Sequence, residues 1–381
     1  MTDVVHGHWD NRFDKVADAL GQAISDGEEV GAAIAIDIGG ETVVDIWGGH
    51  ADAAKSKPWT ADTIVNVWSS TKTVTALAGL MLIDRGLIEP NTPVASVWPE
   101  FSANGKEQIE FRHLLSHSSG VSGWDQPVVV EDIYDWEKST AMLAAQAPWW
   151  EPGTASGYHA LTHGHLIGEV LRRITGKTLK QFVADEIAGP LDADFQIGAV
   201  PADSARIAEI IPAADPMEGV PPMDQWTEQM LKTFTGPAPD PIVANTDAWR
   251  AADIGAANGH TNARALARIL SSISLGGKVN GVQLLRPDTI EKIFEVQSEG
   301  PDLVLALHLA KWGLGFGLPN SSIPYVPDEK ICFWGGWGGS WETMNPDRRM
   351  TIAYVMNRMG PGIEGSERTA RYTTLIYDAV S

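Results

Sequence analysis

Residues 71–85 are apolar on nearly every face of the helix they would form, and Gly86 follows as a suitable C-cap. A helix with one apolar stripe can lie on a surface, whereas one that is apolar all round has to be covered from every side. The chain must therefore wrap other layers around this segment. Its 381 residues are enough to do so, as one large domain or two smaller ones. A hydrophobic fraction of 44% and a charged fraction of 20% are ordinary for a soluble globular chain.

The flanking patterns indicate what those layers are. Phe13, Val16, Ala17, Leu20, Ala23 and Ile24 follow helical spacing. Residues 31–38 are apolar and partly β-branched, Gly39 and Gly40 follow, and residues 42–47 read as a second strand, so a hairpin is expected. Residues 90–275 carry mainly helical patterns broken by Pro and Gly, such as 161–175 and 263–273. Between 200 and 250 the composition shifts to Pro, Asp and Met around Trp226, Phe234 and Trp249, which reads as a long irregular insertion able to cover a pocket. Strand character returns at 330–333, 340–345 and 350–357, with a further strand or loop at 312–317, and a closing helix spans 367–380. Strands at both ends with helices between predict one α/β (α+β) catalytic unit over 1–381. In it, residues 1–68 and 276–381 form a sandwich around a mainly antiparallel sheet, residues 69–275 form a mostly helical insertion, and the active site lies at the junction.

Charge narrows the function classes. Lys and Arg number 28 against 49 Asp and Glu, a formal net charge of −21. Such a surface repels phosphate backbones and anionic lipid, so no nucleic-acid or membrane partner is expected, and a neutral small substrate is. The single cysteine, Cys332, cannot form an intrachain disulfide. Residues 1–10 lack a basic n-region and an apolar h-region, and no stretch reaches the roughly 18 apolar residues that span a bilayer. A cytoplasmic protein is expected; oligomeric state is not legible.

Ser69-Ser70-Thr71-Lys72 opens the buried helix. Residues three apart on a helix are neighbours, with Cβ atoms roughly 5–6 Å apart, so Lys72 would lie beside the Ser69 hydroxyl. An amine buried at the positive end of a helix dipole is disfavoured as a cation and can accept the serine proton. The same residues would also suit an N-capping serine and a snorkelling lysine. Two more segments bear on the choice. Tyr158 stands on a Gly-containing turn before a helix and can aim its phenol into a cleft, or be a core tyrosine. Trp334-Gly335-Gly336-Trp337-Gly338-Gly339-Ser340 follows a strand; paired glycines allow close approach to backbone, so an N–H there beside that of Ser69 could form an oxyanion hole, or the segment could be a bulged edge.

Serine-x-x-lysine, a tyrosine about 90 residues on and a glycine-rich strand near the C-terminus resemble the serial order of serine β-lactamases and penicillin-binding proteins. The chain is similar in particular to the β-lactamase-like family VIII carboxylesterases. Further support comes from Phe111 to Gly120, Tyr158 to Gly164, Ala257-Asn258-Gly259 and Tyr354 to Met359. The resemblance implies an acyl-enzyme on Ser69, general-base and general-acid work shared by Lys72 and Tyr158, and an oxyanion hole from the N–H groups of Ser69 and Trp337. It implies no cofactor, a small ester and water as reactants, and a site between sheet and helical region.

Departures from the penicillin-recognising pattern point to an ester. The cation of a Lys-Thr-Gly strand is replaced by Trp334-Gly335-Gly336, and the Asn expected two residues after the tyrosine is Ala160. Losing a charge-assisted bond weakens binding by roughly 1.5–3 kcal/mol, whereas a neutral ester loses nothing. Trp334 and Trp337 are expected to line an apolar cleft. Acyltransferase, amidase or weak β-lactamase chemistry on the same site stays open, as does a non-catalytic ligand-binding relative. The absence of Gly-x-Ser-x-Gly argues against an α/β-hydrolase. His159, His163 and His165 invite a metal reading, but no acidic residue stands between the first two as in His-Glu-x-x-His, and no metal is expected. His113 and His117 are read as packing and hydrogen-bonding residues.

Overall fold

Gly39 and Gly40 turn the N-terminal hairpin with φ of +67° and +94°, left-handed values that favour glycine. They join β2 (Gly31–Ile38) to β3 (Glu41–Gly49). The computed structural model describes residues 4–125, 127–215, 218, 221–305, 309–363 and 365–381. Residues 1–3 of the N-terminal segment, and positions 216, 217, 219 and 220 of the 200–250 insertion, lie outside the described residues.

The hairpin is the middle of a six-stranded antiparallel sheet. With β1 (Val5–Trp9), β4 (Cys332–Gly335), β5 (Trp341–Asn345) and β6 (Met350–Met356), the order is β1-β3-β2-β6-β5-β4. β2 and β6 pair over seven residues, from Ile38 opposite Met350 to Ala32 opposite Met356, which joins the two ends of the chain at the sheet's centre. Both strands are apolar on both faces because both faces are covered. α1 (Asp14–Asp26) and α5 (Glu367–Ala379) pack on one side, and α4 (Ala263–Ser274) on the other. α4 falls within the 69–275 segment expected as the helical insertion, yet it lies against β2, β5 and β6. Its apolar face of Leu266, Ile269, Leu270 and Ile273 is wholly buried, so this helix belongs to the sandwich.

The apolar segment forms α2 (Thr71–Asp84), with 13 of its residues buried. It ends at Arg85 and Gly86, the latter at φ +66°. α3 (Thr162–Thr175) packs along it, and Gly79 lets Leu115, Phe111 and Ile167 approach closely. The 200–250 region is more ordered than its composition suggested: Glu228–Thr235 is a helix capped by the Thr227 hydroxyl, and Asp247–Ala251 a short helix capped by Thr246. Edge strand β1 escaped the sequence reading because His6-Gly7-His8 breaks the strand pattern. Among the described residues no helix is long and apolar enough to cross a membrane.

Candidate active site

Ser69 stands on a sharp turn immediately before α2. Trp68 adopts φ +48°, a left-handed conformation uncommon for a bulky side chain and costing about 1 kcal/mol or more. The turn is held by local bonds: the Thr71 hydroxyl donates to Trp68 O at 2.5 Å, and Ser70 N donates to Val67 O at 3.2 Å. Tilted and edge-on ring contacts restrain Trp68 further, its ring lying 5.6 Å from Trp249 and 5.1 Å from Trp337.

One turn on, the Lys72 amine lies 3.0 Å from Ser69 Oγ. It also donates to Ala160 O at 2.8 Å and Ala256 O at 2.9 Å. Those carbonyls reach it because α3 and the 255–256 backbone pack very closely: a Cβ on Gly164 would lie 2.5 Å from Ala256 N. Lys72 is buried, and desolvation holds its amine well below the ordinary lysine range. A neutral amine has two hydrogens and one lone pair. In that form the two carbonyls would take its hydrogens and its lone pair would face the serine hydroxyl.

Tyr158 is brought to the same place. Its ring centroid lies 4.7 Å from the Lys72 amine, and the Trp334 indole donates to its hydroxyl at 3.3 Å. Its backbone is anchored on both sides: Tyr158 N donates to Asp302 Oδ1 at 3.1 Å, and His159 N to His117 Nδ1 at 3.1 Å. His117, at φ +58°, packs on Tyr158 and Trp312. Burial keeps His117, His159 and His163 well below the usual imidazole range, so three neutral rings surround the lysine and tyrosine. His159 occupies both ring nitrogens, with Ser119 Oγ at 2.6 Å and Gly157 O at 2.7 Å. Among the described residues no group of His, Cys, Asp and Glu is placed to hold a metal ion.

The glycine segment closes the site. Gly336 N donates to Ser340 O at 2.8 Å, turning the chain out of β4 and back into β5. A Cβ on Gly336 would lie 2.2 Å from Val67 O, so only glycine permits this approach to the serine turn. Among the described residues no backbone carbonyl accepts from the N–H groups of Ser69 and Trp337, in contrast to those of Ser70 and Gly336. Trp334 is buried against Tyr158 and Trp312; Trp337 is half-buried and leans on Trp68. A small pocket behind Trp334, lined by Lys311, Trp312, Phe333 and Trp341, does not include Ser69. The sequence reading did not find Ala160 O, Ala256 O, Asp302, Trp68 or Trp312. Backbone carbonyls have no residue signature, and isolated aromatics are indistinguishable from core.

A buried helix led by a serine turn, lodged between an antiparallel sheet and a helical region, defines the serine β-lactamase and penicillin-binding-protein fold. The chain belongs to the β-lactamase family of hydrolases, whose pattern it matches over residues 13–374. It is 33% identical to the esterase/β-lactamase LipL of Mycobacterium tuberculosis, over 93% of this chain and 83% of that protein. The crystal structure of a family VIII carboxylesterase superposes with a TM-score of 0.92 at 37% identity, covering 98% of this chain and 99% of the other. A penicillin-binding protein homologue from Caulobacter crescentus superposes with a TM-score of 0.91 at 34% identity, covering 98% and 99%.

Proposed function

We propose that the protein is a serine carboxylesterase that hydrolyses small to medium neutral esters through an acyl-Ser69 intermediate. The observation that carries this is the Lys72 amine, 3.0 Å from Ser69 Oγ with its remaining hydrogens committed to two carbonyls. The Ser69 oxygen attacks the ester carbonyl carbon as its proton passes to Lys72. The oxyanion is received by the N–H groups of Ser69 and Trp337. Collapse expels the alcohol, which takes a proton from the Lys72–Tyr158 pair. Water then attacks the acyl group, gives a proton to the same pair, and Ser69 leaves with one, releasing the acid.

Trp334 and Trp337 offer aromatic surface to the acyl or alcohol group. No cation stands where the β-lactam-cleaving pattern has its lysine, since Trp334 holds that place, and Ala160 offers no amide. The carboxylesterase and the esterase/β-lactamase among the similar proteins support an ester substrate. The test compares p-nitrophenyl acetate, butyrate and a longer ester with a chromogenic cephalosporin, using Ser69→Ala as control. Ester turnover abolished in the variant and cephalosporin turnover far below that of butyrate are expected. Unchanged ester turnover in Ser69→Ala would remove the serine from the mechanism, and cephalosporin turnover matching butyrate would overturn the substrate assignment.

A further inference from the structure

Tyr158 lies on backbone that belongs to neither helix nor strand, since residues 156–159 have no regular secondary structure. The placement of its phenol therefore depends on a few bonds to that backbone. Three successive N–H groups carry them. Gly157 N donates to His117 O at 2.9 Å, Tyr158 N to Asp302 Oδ1 at 3.1 Å, and His159 N to His117 Nδ1 at 3.1 Å. His117 takes the outer two. The central one, from the tyrosine itself, goes to a side chain 144 residues away.

Asp302 is itself held firmly. It is buried, and the same Oδ1 accepts from Val304 N and Leu305 N, both at 2.9 Å. Those two bonds fix the carboxyl group within its own turn, so it can serve as an anchor for the tyrosine. The turn is tied down on both sides. Leu303 N donates to Ser156 O at 2.9 Å, a second bond to the Tyr158 segment, and the Thr227 hydroxyl donates to Leu303 O at 2.7 Å. Thr227 also caps the helix Glu228–Thr235, accepting from Met230 N at 3.0 Å. A line of hydrogen bonds thus runs from the 200–250 insertion through residues 302–305 to Tyr158. Removing the Asp302 carboxyl would take the acceptor from three N–H groups of buried residues, and the backbone would shift to find others.

We propose that Asp302 is a positioning residue which, through the Tyr158 N–H, holds the Tyr158 phenol beside the Lys72 amine for proton transfer. This rests on the shared acid–base role of Lys72 and Tyr158 given above. Asp302 reaches the reaction only through Tyr158, whose ring centroid stands 4.7 Å from that amine. A misplacement of about 1 Å can cost about 100-fold in rate. The loss falls on the chemical step and leaves ground-state binding nearly unchanged.

The experiment measures kcat and KM for p-nitrophenyl butyrate in Asp302→Ala and Asp302→Asn, each made in the wild-type chain and in Tyr158→Phe. In the wild-type chain Asp302→Ala is expected to lower kcat about 10-fold or more, with KM within about 2-fold. In Tyr158→Phe no phenol remains to be positioned, so the same substitution should change kcat by less than about 2-fold. Asp302→Asn keeps an acceptor oxygen and should stay within about 3-fold of wild type. A brace of the fold alone would lower kcat equally in both backgrounds, and that result overturns the proposal. Wild-type kcat in Asp302→Ala, or an Asn variant as slow as the Ala variant, overturns it too. Should Asp302→Ala fail to fold, Asp302→Glu, which moves the carboxyl group by one methylene, takes its place with the same expected and contrary results. Fluorophosphonate labelling of wild-type Ser69 separates the two readings. Wild-type protein that is neither labelled nor active sinks the esterase assignment. Labelled, active protein with a slow Tyr158→Phe and indifferent Asp302 variants sinks the positioning role alone.

Discussion

Among the described residues two lysines are buried, Lys72 and Lys106, and their partners differ. Lys72 stands at the start of α2, where the helix dipole opposes a positive charge. Lys106 stands at the far end of another helix, Trp136–Ala145, where the dipole favours one. Lys106 donates to Ala103 O at 2.8 Å, Ala144 O at 3.0 Å and Gln146 O. Three carbonyls match the three hydrogens of an ammonium and leave no place for a lone pair. Lys72 has two carbonyls and one hydroxyl, and a hydroxyl can donate to a lone pair. Burial pushes Lys106 down to about 8, so it remains mainly a cation at neutral pH, and desolvation holds Lys72 well below the ordinary lysine value. Burial lowers both amines, and the third partner, a hydroxyl for Lys72 and a carbonyl for Lys106, separates what each can do.

Substitutions that exchange these roles give the largest effects. Lys72→Arg keeps donors for both carbonyls but is permanently protonated, so kcat/KM for p-nitrophenyl butyrate should fall by about 10³-fold or more. Activity within 10-fold of wild type would end the role of Lys72 as base. Tyr158→Phe keeps the aromatic packing and removes the phenol; turnover should drop about 100-fold, as loss of acid–base catalysis does. A variant within a few-fold of wild type would leave the proton work to Lys72 alone. Lys106→Met strands three carbonyls at a helix end and should cost about 3 kcal/mol of stability, read as a lower urea midpoint, with kcat of the folded fraction nearly unchanged. A kcat loss as large as that of Lys72→Arg would erase the distinction. The smallest effect is expected for Trp334→Phe, which removes one indole donor from Tyr158 and should change kcat by about 3-fold.

The pH dependence has a definite sign. The amine of Lys72 is depressed in the fold, so the base form prevails above its depressed value and activity is lost as pH falls through it. The unfolded chain, with a lysine near its ordinary 10.5, binds that proton more tightly, so this group makes stability rise with pH between the two values.

Much of this was legible beforehand where a residue pattern encodes it. The all-round apolarity of 71–85 marked the central helix, and the three-residue spacing placed Lys72 over Ser69. Strand patterns at both ends foretold a sheet joining the termini, which the pairing of β2 with β6 makes. Contacts made by backbone were not legible: Ala160 O and Ala256 O are acceptors only because α3 passes so close. Lys106, in Asn104-Gly105-Lys106-Glu107, reads as surface, and only the return of the 144–146 carbonyls buries it.

The most direct test is the protonation state of the Lys72 amine itself. Protein carrying ¹³Cε-labelled lysine, with Lys72→Met and Lys106→Met used to assign the two signals, would be followed by NMR through neutral pH. The predicted result at about pH 7 is a neutral amine at Lys72 beside an ammonium at Lys106. An ammonium at Lys72 persisting through the pH range of ester turnover would contradict the account.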